Sequence, residues 1–209
     1  MPKSRSMRPI RSRMVGIETP VERSGGDLRS AIDRYHAHDD EVADLARVRR
    51  LVDSGDPWSR DGPLHATASA LVVDPRGHRV LLRWHARMGR WMQVGGHAEP
   101  GETDPWAIAL REAREETGLD DLAPLTPAAE RVPVHIVIVP VPASGTEPAH
   151  EHADIRYALA TAQPERSQAE APEAAVRWLA FDEARDAITE PNLREFLDRV
   201  EAIVDEVLS

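Results

Sequence analysis

The sequence predicts an α/β fold preceded by a short helical segment, and three observations carry that expectation. Runs rich in β-branched residues, bounded by turn residues, recur at 66–73, 78–84, 133–141, 154–161 and 175–179. Stripes of apolar residues at helical spacing stand between and after these runs. The 209 residues suit one domain with an added segment better than two full domains.

Taken in order, residues 1–26 are polar and end in Ser24-Gly25-Gly26, which reads as a flexible leader. Its basic residues (Lys3, Arg5, Arg8, Arg11, Arg13) have no acidic neighbour in 1–13 and no interleaved aromatic residue, so a nucleic-acid or membrane arm is not expected. Residues 27–60 should form a helical segment. Leu28, Ala31, Ile32 and Tyr35 make one stripe and Val42, Leu45, Val48 and Val52 a second, stopped by Ser54-Gly55-Asp56-Pro57. Such stripes must be covered by the domain or by a second subunit, which leaves a homodimer open; a lid over a site is a further reading.

Residues 61–209 are expected to be the main domain. Strands 66–73 and 78–84 form a hairpin around Asp74-Pro75-Arg76-Gly77. After a loop at 85–89 the chain runs through Trp91 and Val94 into a second loop carrying Gly95, Gly96, Pro100 and Gly101. Asp104 then reads as an N-cap, Pro105 as the first helical residue and Gly118 as the stop after Thr117. On this helix Trp106, Leu110, Ala113 and Thr117 share one side, while Glu112, Glu115 and Glu116 share another. Beyond it come strand 133–141, a turn-rich loop at 142–148, strand 154–161, an exposed connection at 162–174, strand 175–179, a helix at 181–188 and a final helix from Pro191 to about Leu208. Leu193, Phe196, Leu197, Val200, Ile203 and Val204 give that last helix its apolar face.

Composition excludes several classes. There is no cysteine, hence no disulfide, thiolate metal site or cysteine nucleophile. No apolar run is long enough for a membrane span and no signal-peptide pattern appears, so a cytoplasmic location is expected. A net charge of −10, more negative still without residues 1–13, disfavours broad binding to nucleic-acid backbones.

Three glutamates one turn apart repel each other, so something cationic should compensate them. Arg111 and Arg114 supply part; closely placed carboxyl oxygens suit a hard divalent ion such as Mg²⁺, or Mn²⁺ in its place. A solvated charged face is the plain alternative. The stretch from Gly96 to Leu119 resembles the Nudix box, matching at Gly96, Glu102, Arg111, Glu112, Ala113, Glu115, Glu116, Gly118 and Leu119. It departs in having eight rather than seven residues between Glu102 and Arg111, an insertion that the loop before the helix should absorb. Val94 also stands where the family commonly has proline.

The resemblance covers about residues 65–205 and implies an α/β/α sandwich with a mixed sheet. It implies hydrolysis of a nucleoside diphosphate linked to another group, by water attack on phosphorus. Glu112, Glu115 and Glu116, with the Gly96 carbonyl, would hold the metal; Arg111 would brace the acids, Glu102 would help from the loop, and Glu112 is the favoured base. The expected partner is a small-molecule diphosphate. His97 follows Gly96 directly and Arg83 flanks the loop, so both are candidates for substrate contact, with His65 and His85 near by. His150, His152 and Asp154 alternate, so on a strand they share one face. A solvated strand edge is the favoured reading of that face, a polar patch near the substrate mouth the next and a second metal site a lesser one, and Asp154 or Glu151 is a candidate extra acid. The alternative functions are a catalytically inactive Nudix-fold nucleotide-binding or regulatory protein, and an isomerase of the same fold, against which the lack of cysteine argues. Nothing downstream of the box selects the nucleotide.

Overall fold

The computed structural model describes residues 27–209, and the expected leader at 1–26 lies outside the described residues. Eight strands form one mixed sheet: β1 (Leu64–Asp74), β2 (Arg79–His85), β3 (Arg90–Met92), β4 (Val94–Gly96), β5 (Ala123–Pro124), β6 (His135–Val141), β7 (His150–Ala160) and β8 (Val176–Ala180). The helices are α1 (Leu28–Arg34), α2 (Val42–Asp53), α3 (Pro105–Thr117), α4 (Phe181–Ala187) and α5 (Pro191–Leu208). β1 runs parallel to β7 along its length, while the other pairings are antiparallel. On its other side β1 pairs first with β4, at residues 68–70, and then with β2, at residues 72–74.

The layers follow from the two-residue period of β1. Ala66, Ala68, Ala70 and Val72 belong to one core with Trp106, Ile108 and Ala109 of α3 and with Leu28, Ile32, Leu45 and Val48 of the N-terminal helices. Leu71 and Val73 belong to a second core with Phe181 of α4 and Phe196, Leu197 and Val200 of α5. The sheet is therefore sandwiched between helices, as expected.

The stripes of 27–53 find most of their cover within this chain, although Val42 of the second stripe is exposed. Leu28, Ile32, Tyr35 and Leu45 are buried, and Tyr35 donates to Glu41 (2.5 Å), which also accepts from Arg199 of α5 (2.7 Å). Asp44 accepts from the backbone N–H of Ile138 on β6 (2.8 Å), satisfying a donor on an edge strand that would otherwise invite pairing. Among the described residues no helix is long and apolar enough to cross a membrane.

Three expectations need correction. Gly95 and Gly96 lie in β4 rather than in a loop, because their backbone pairs with Ser69 and Ala68. β7 begins at His150, ahead of the expected start at Asp154, and is interior, with β1 on one side and β6 on the other. The face carrying His150, His152 and Asp154 is therefore no solvated edge. The connection at 162–174 is not wholly exposed either: the Gln168 N–H donates to the Thr117 carbonyl (2.7 Å) at the end of α3, and Ala174 is buried.

Candidate active site

Helix α3 begins as its sequence dictates. Asp104 accepts from the Trp106 N–H (3.1 Å), Pro105 occupies the first turn, and the i to i−4 ladder opens with Ile108 N–H on the Asp104 carbonyl (3.1 Å). Gly118 ends it in the left-handed region at φ 67°. The eight-residue spacing before Arg111 therefore requires no distortion of the helix. The buried side is wider than the expected stripe: Ile108 and Ala109 are fully buried and Leu110 only half-buried.

The helix carries Glu112 and Glu116 under β4. Gly95 donates its N–H to Glu116 Oε2 (3.0 Å), and a Cβ at Gly96 would stand 2.8 Å from the Glu112 carboxyl group. A side chain at Gly96 would displace that carboxyl, while Gly95, at φ 144° and with the Ser69 backbone 2.5 Å from where a Cβ would stand, admits only glycine. Glu115 points outward and is half exposed. Burial raises the Glu112 carboxyl and pushes Glu116 up to about 7, although Arg83 lies 3.2 Å from Glu116. Arg83 rather than Arg114 thus faces this acid. It also reaches Glu170 (3.2 Å), so an arginine expected to contact substrate is engaged with carboxylates.

Arg111 links the rest. Its guanidinium donates to Glu102 (3.0 and 2.9 Å), Glu112 (2.9 Å), Glu115 (3.0 Å) and the His97 carbonyl (3.0 Å). The Arg111 hydrogen bonds hold Glu102 below the usual carboxylate range, and the same contacts raise Arg111 itself. The planar fork makes five hydrogen bonds at once, more than the three donors of an ammonium could. The face offers hard oxygen donors from Glu112, Glu115 and Glu116, partly desolvated and short of positive charge, beside a glycine cradle. Carboxylate oxygens of this kind are the donors that a hard divalent ion takes.

On the other side of β4 lies a cavity walled by Arg87, Arg90, Met92, Gln93 and Val139. Thr67, Ser69, Asp154 and Arg156 line its continuation toward Gly95 and Gly96. Asp154 accepts from Thr67 (3.0 Å), Ser69 (2.9 Å), Gln93 (3.2 Å) and Arg156 (2.8 Å). Burial alone would raise its carboxyl, yet Arg156 and the hydroxyl donors hold it low. Three of these donors share Oδ2 and Thr67 takes Oδ1, so Asp154 is committed to the sheet around it, and Glu151 is paired with Arg47. Arg156 also anchors the start of α5 through the Asn192 carbonyl and side chain (3.0 and 2.9 Å).

The His97 side chain turns into this cavity, away from the acids, and meets His65, Nε2 to Nε2, at 3.1 Å. Burial lowers His97 to about 4 and His152 to about 3, so both are neutral near pH 7. The sequence reading thus located Gly96, Arg111, Glu112 and Glu116, which the fold brings together, and His97, which it turns away. It missed Arg87, Arg90, Gln93 and Arg156. A signal for the cavity floor was present: His65, Thr67 and Ser69 alternate with Ala66, Ala68 and Ala70, a polar face at strand period.

A family model described as the NUDIX domain matches residues 63–200, more than half of the chain. A search of curated proteins found no match. Among solved structures, a C. elegans Ap4A hydrolase binary complex superposes with TM-score 0.52 at 17% identity, covering 68% of this chain and 98% of that one. The E. coli dihydroneopterin triphosphate pyrophosphohydrolase gives TM-score 0.49 at 20% identity, over 68% of this chain and 96% of that one. The first likeness concerns the fold.

Proposed function

This chain belongs to the Nudix hydrolase family, and from that premise we propose that it is a metal-dependent pyrophosphohydrolase. Its substrate class would be a nucleoside diphosphate linked to another group, cleaved by water attack on phosphorus. The observation that carries the reading is the pair Glu112 and Glu116, half-desolvated against the Gly95–Gly96 backbone and fixed by Arg111 and Arg83.

Mg²⁺ held by Glu112, Glu115, Glu116 and the Gly96 carbonyl would offset the phosphate charge and polarise water. The chain's own groups divide the remaining work. Both oxygens of Glu116 are engaged, Oε1 by Arg83 and Oε2 by the Gly95 N–H. Arg111 takes only Oε1 of Glu112, which leaves Oε2 as the acceptor for a water proton and favours Glu112 as the base. Arg111 acts as a positioning residue, since its donors are spent on Glu102, Glu112, Glu115 and the His97 carbonyl. Across β4 the cavity carries Arg60, Arg87 and Arg90 among its lining, paired with Glu147 and Glu190, which an anionic substrate would have to displace, and Met92 and Val139 as apolar walls for its other part.

The test is a panel of nucleoside diphosphate derivatives incubated with the full chain and Mg²⁺, with release of nucleoside monophosphate followed by chromatography. Turnover of at least one compound that stops in excess EDTA is the expected result. Absence of turnover across the panel, or turnover indifferent to EDTA, would overturn the reading.

A further inference from the structure

Four histidines, three of them on two neighbouring strands, converge beside the cavity. His65 stands on β1, His150 and His152 on the neighbouring β7, and His97 just past the end of β4. Register alone brings them together, since His65 is paired directly with His152 in the parallel ladder. One ring nitrogen from each of His65, His150 and His152 lies within 4.8 Å of the other two. His150 and His152 meet Nε2 to Nε2 at 3.1 Å, as do His97 and His65. Five of the six ring pairs have centroids 4.8 to 5.2 Å apart.

The outer contacts bear on which nitrogen is free. His150 Nδ1 lies 2.9 Å from the Pro148 carbonyl, which only accepts, so Nδ1 carries the proton and Nε2 presents its lone pair to the cluster. A carbonyl behind a ring nitrogen is the usual brace of a metal-bound imidazole. The packing has no hydrophobic rationale: His65 Nδ1 is buried without a partner, and the neighbouring Asp154 is fully engaged elsewhere.

We propose that His65, His150 and His152, with His97 as a fourth donor, form a site for a divalent transition metal of the zinc class, separate from the oxygen face on α3. Nitrogen donors select such an ion over Mg²⁺. Zinc–nitrogen bonds of about 2.0–2.1 Å place tetrahedral ligands about 3.3 Å apart, so the two 3.1 Å pairs are close to that spacing. The other donors of His65, His150 and His152, which lie within 4.8 Å of one another, would close by up to about 1.5 Å through side-chain rotation on fixed strands. Asp154, which shares a face with His150 and His152, is not a ligand because Arg156 and two hydroxyls already hold it.

The test uses the full chain prepared without a polyhistidine tag and stripped of metal. Titration with Co²⁺ should give one ion per chain with the intense visible absorption of a four-coordinate nitrogen site, displaced by Zn²⁺. The signal should persist in the double variant Glu112→Gln/Glu116→Gln and weaken in affinity by more than about tenfold in His150→Asn and in His152→Asn, with folding checked by circular dichroism. A folded wild-type chain that gives no such absorption overturns the proposal, whatever the variants do. So does absorption that vanishes with the two glutamates or survives in both histidine variants. Because the readout is metal binding alone, its failure leaves the pyrophosphohydrolase reading standing, and the reverse also holds.

Discussion

The two sides of β4 solve opposite problems. On the α3 side, acids are crowded, and two arginines answer them: Arg111 on Glu102, Glu112 and Glu115, and Arg83 on Glu116. On the cavity side, four imidazoles are crowded, and the carboxylate nearest in register is already held by Arg156. The first side keeps surplus negative charge and hard oxygen donors, the second close-packed rings and softer nitrogen donors. Their difference teaches that one short strand of glycines can divide two ligand chemistries, because Gly95 and Gly96 carry no side chain into either. The predictions that follow attack or refine this contrast.

The largest effect belongs to the acids. Glu112→Gln and Glu116→Gln should each reduce Mg²⁺-dependent turnover by about 100-fold or more, as loss of a general base or charge-bearing group does. A fall in kcat with little change in KM would place the loss in the chemical step. Full turnover in both variants would break the contrast, since the acid face would then do no chemistry.

Next comes the support beneath α3. Ile32 is buried in the core it shares with Trp106 and Ile108, so Ile32→Ala should cost about 2–5 kcal/mol by transfer and cavity terms. Chemical denaturation would measure it. Deletion of residues 1–56 should do more, lowering the melting temperature and the solubility by uncovering that core. A deletion variant as stable as the full chain would show that 27–53 is an appendage.

Charge on the two sides should respond to pH in opposite senses. Burial lifts Glu116 to about 7, above its unfolded value, so its protonated form is favoured by folding. Stability from this group is present below the ordinary carboxylate range and is lost as pH rises through about 7. In EDTA, Glu116→Gln should therefore be more stable than wild type at pH 8, by on the order of 2–3 kcal/mol, with the advantage shrinking toward pH 5. His135, buried on the cavity side of the sheet beside Arg156, goes the other way. Burial lowers it to about 3, so its contribution is intact above 6.5 and is lost as pH falls from 6.5 toward 3. Denaturation midpoints of His135→Gln should show a shallower acid slope than wild type, by up to about 1.4 kcal/mol per pH unit for the missing proton.

The same contrast explains what the sequence disclosed. The acid face was legible because its parts lie within one turn of each other on a helix with visible start and stop signals. Arg83 was not legible as the partner of Glu116, since hairpin register decides which strand residue faces which helix position. The cavity side needed more still. His65 and His152 meet only because β1 and β7 run parallel across the middle of the sheet, and alternation alone left β7 reading as an edge. Asp154 looked like a spare acid until Thr67 and Ser69 of β1, Gln93 before β4 and Arg156 of its own strand converged on it.

The smallest effect isolates the helix from the sheet. Asp104 accepts from the Trp106 N–H at 3.1 Å, satisfying one of the donors that the first turn leaves orphaned. Alanine there keeps the chain length and Pro105 but removes the acceptor and its negative charge at the helix start, so Asp104→Ala should cost about 1 kcal/mol. The loss would loosen the first turn of α3 and, through it, the seating of Arg111 and Glu112. The imidazoles are set by strand register and should not notice. The informative experiment therefore measures both sides in the one variant: a modest drop in turnover with unchanged Co²⁺ affinity keeps the two sides separate, whereas a parallel loss of both would mean that α3 positions the histidines as well.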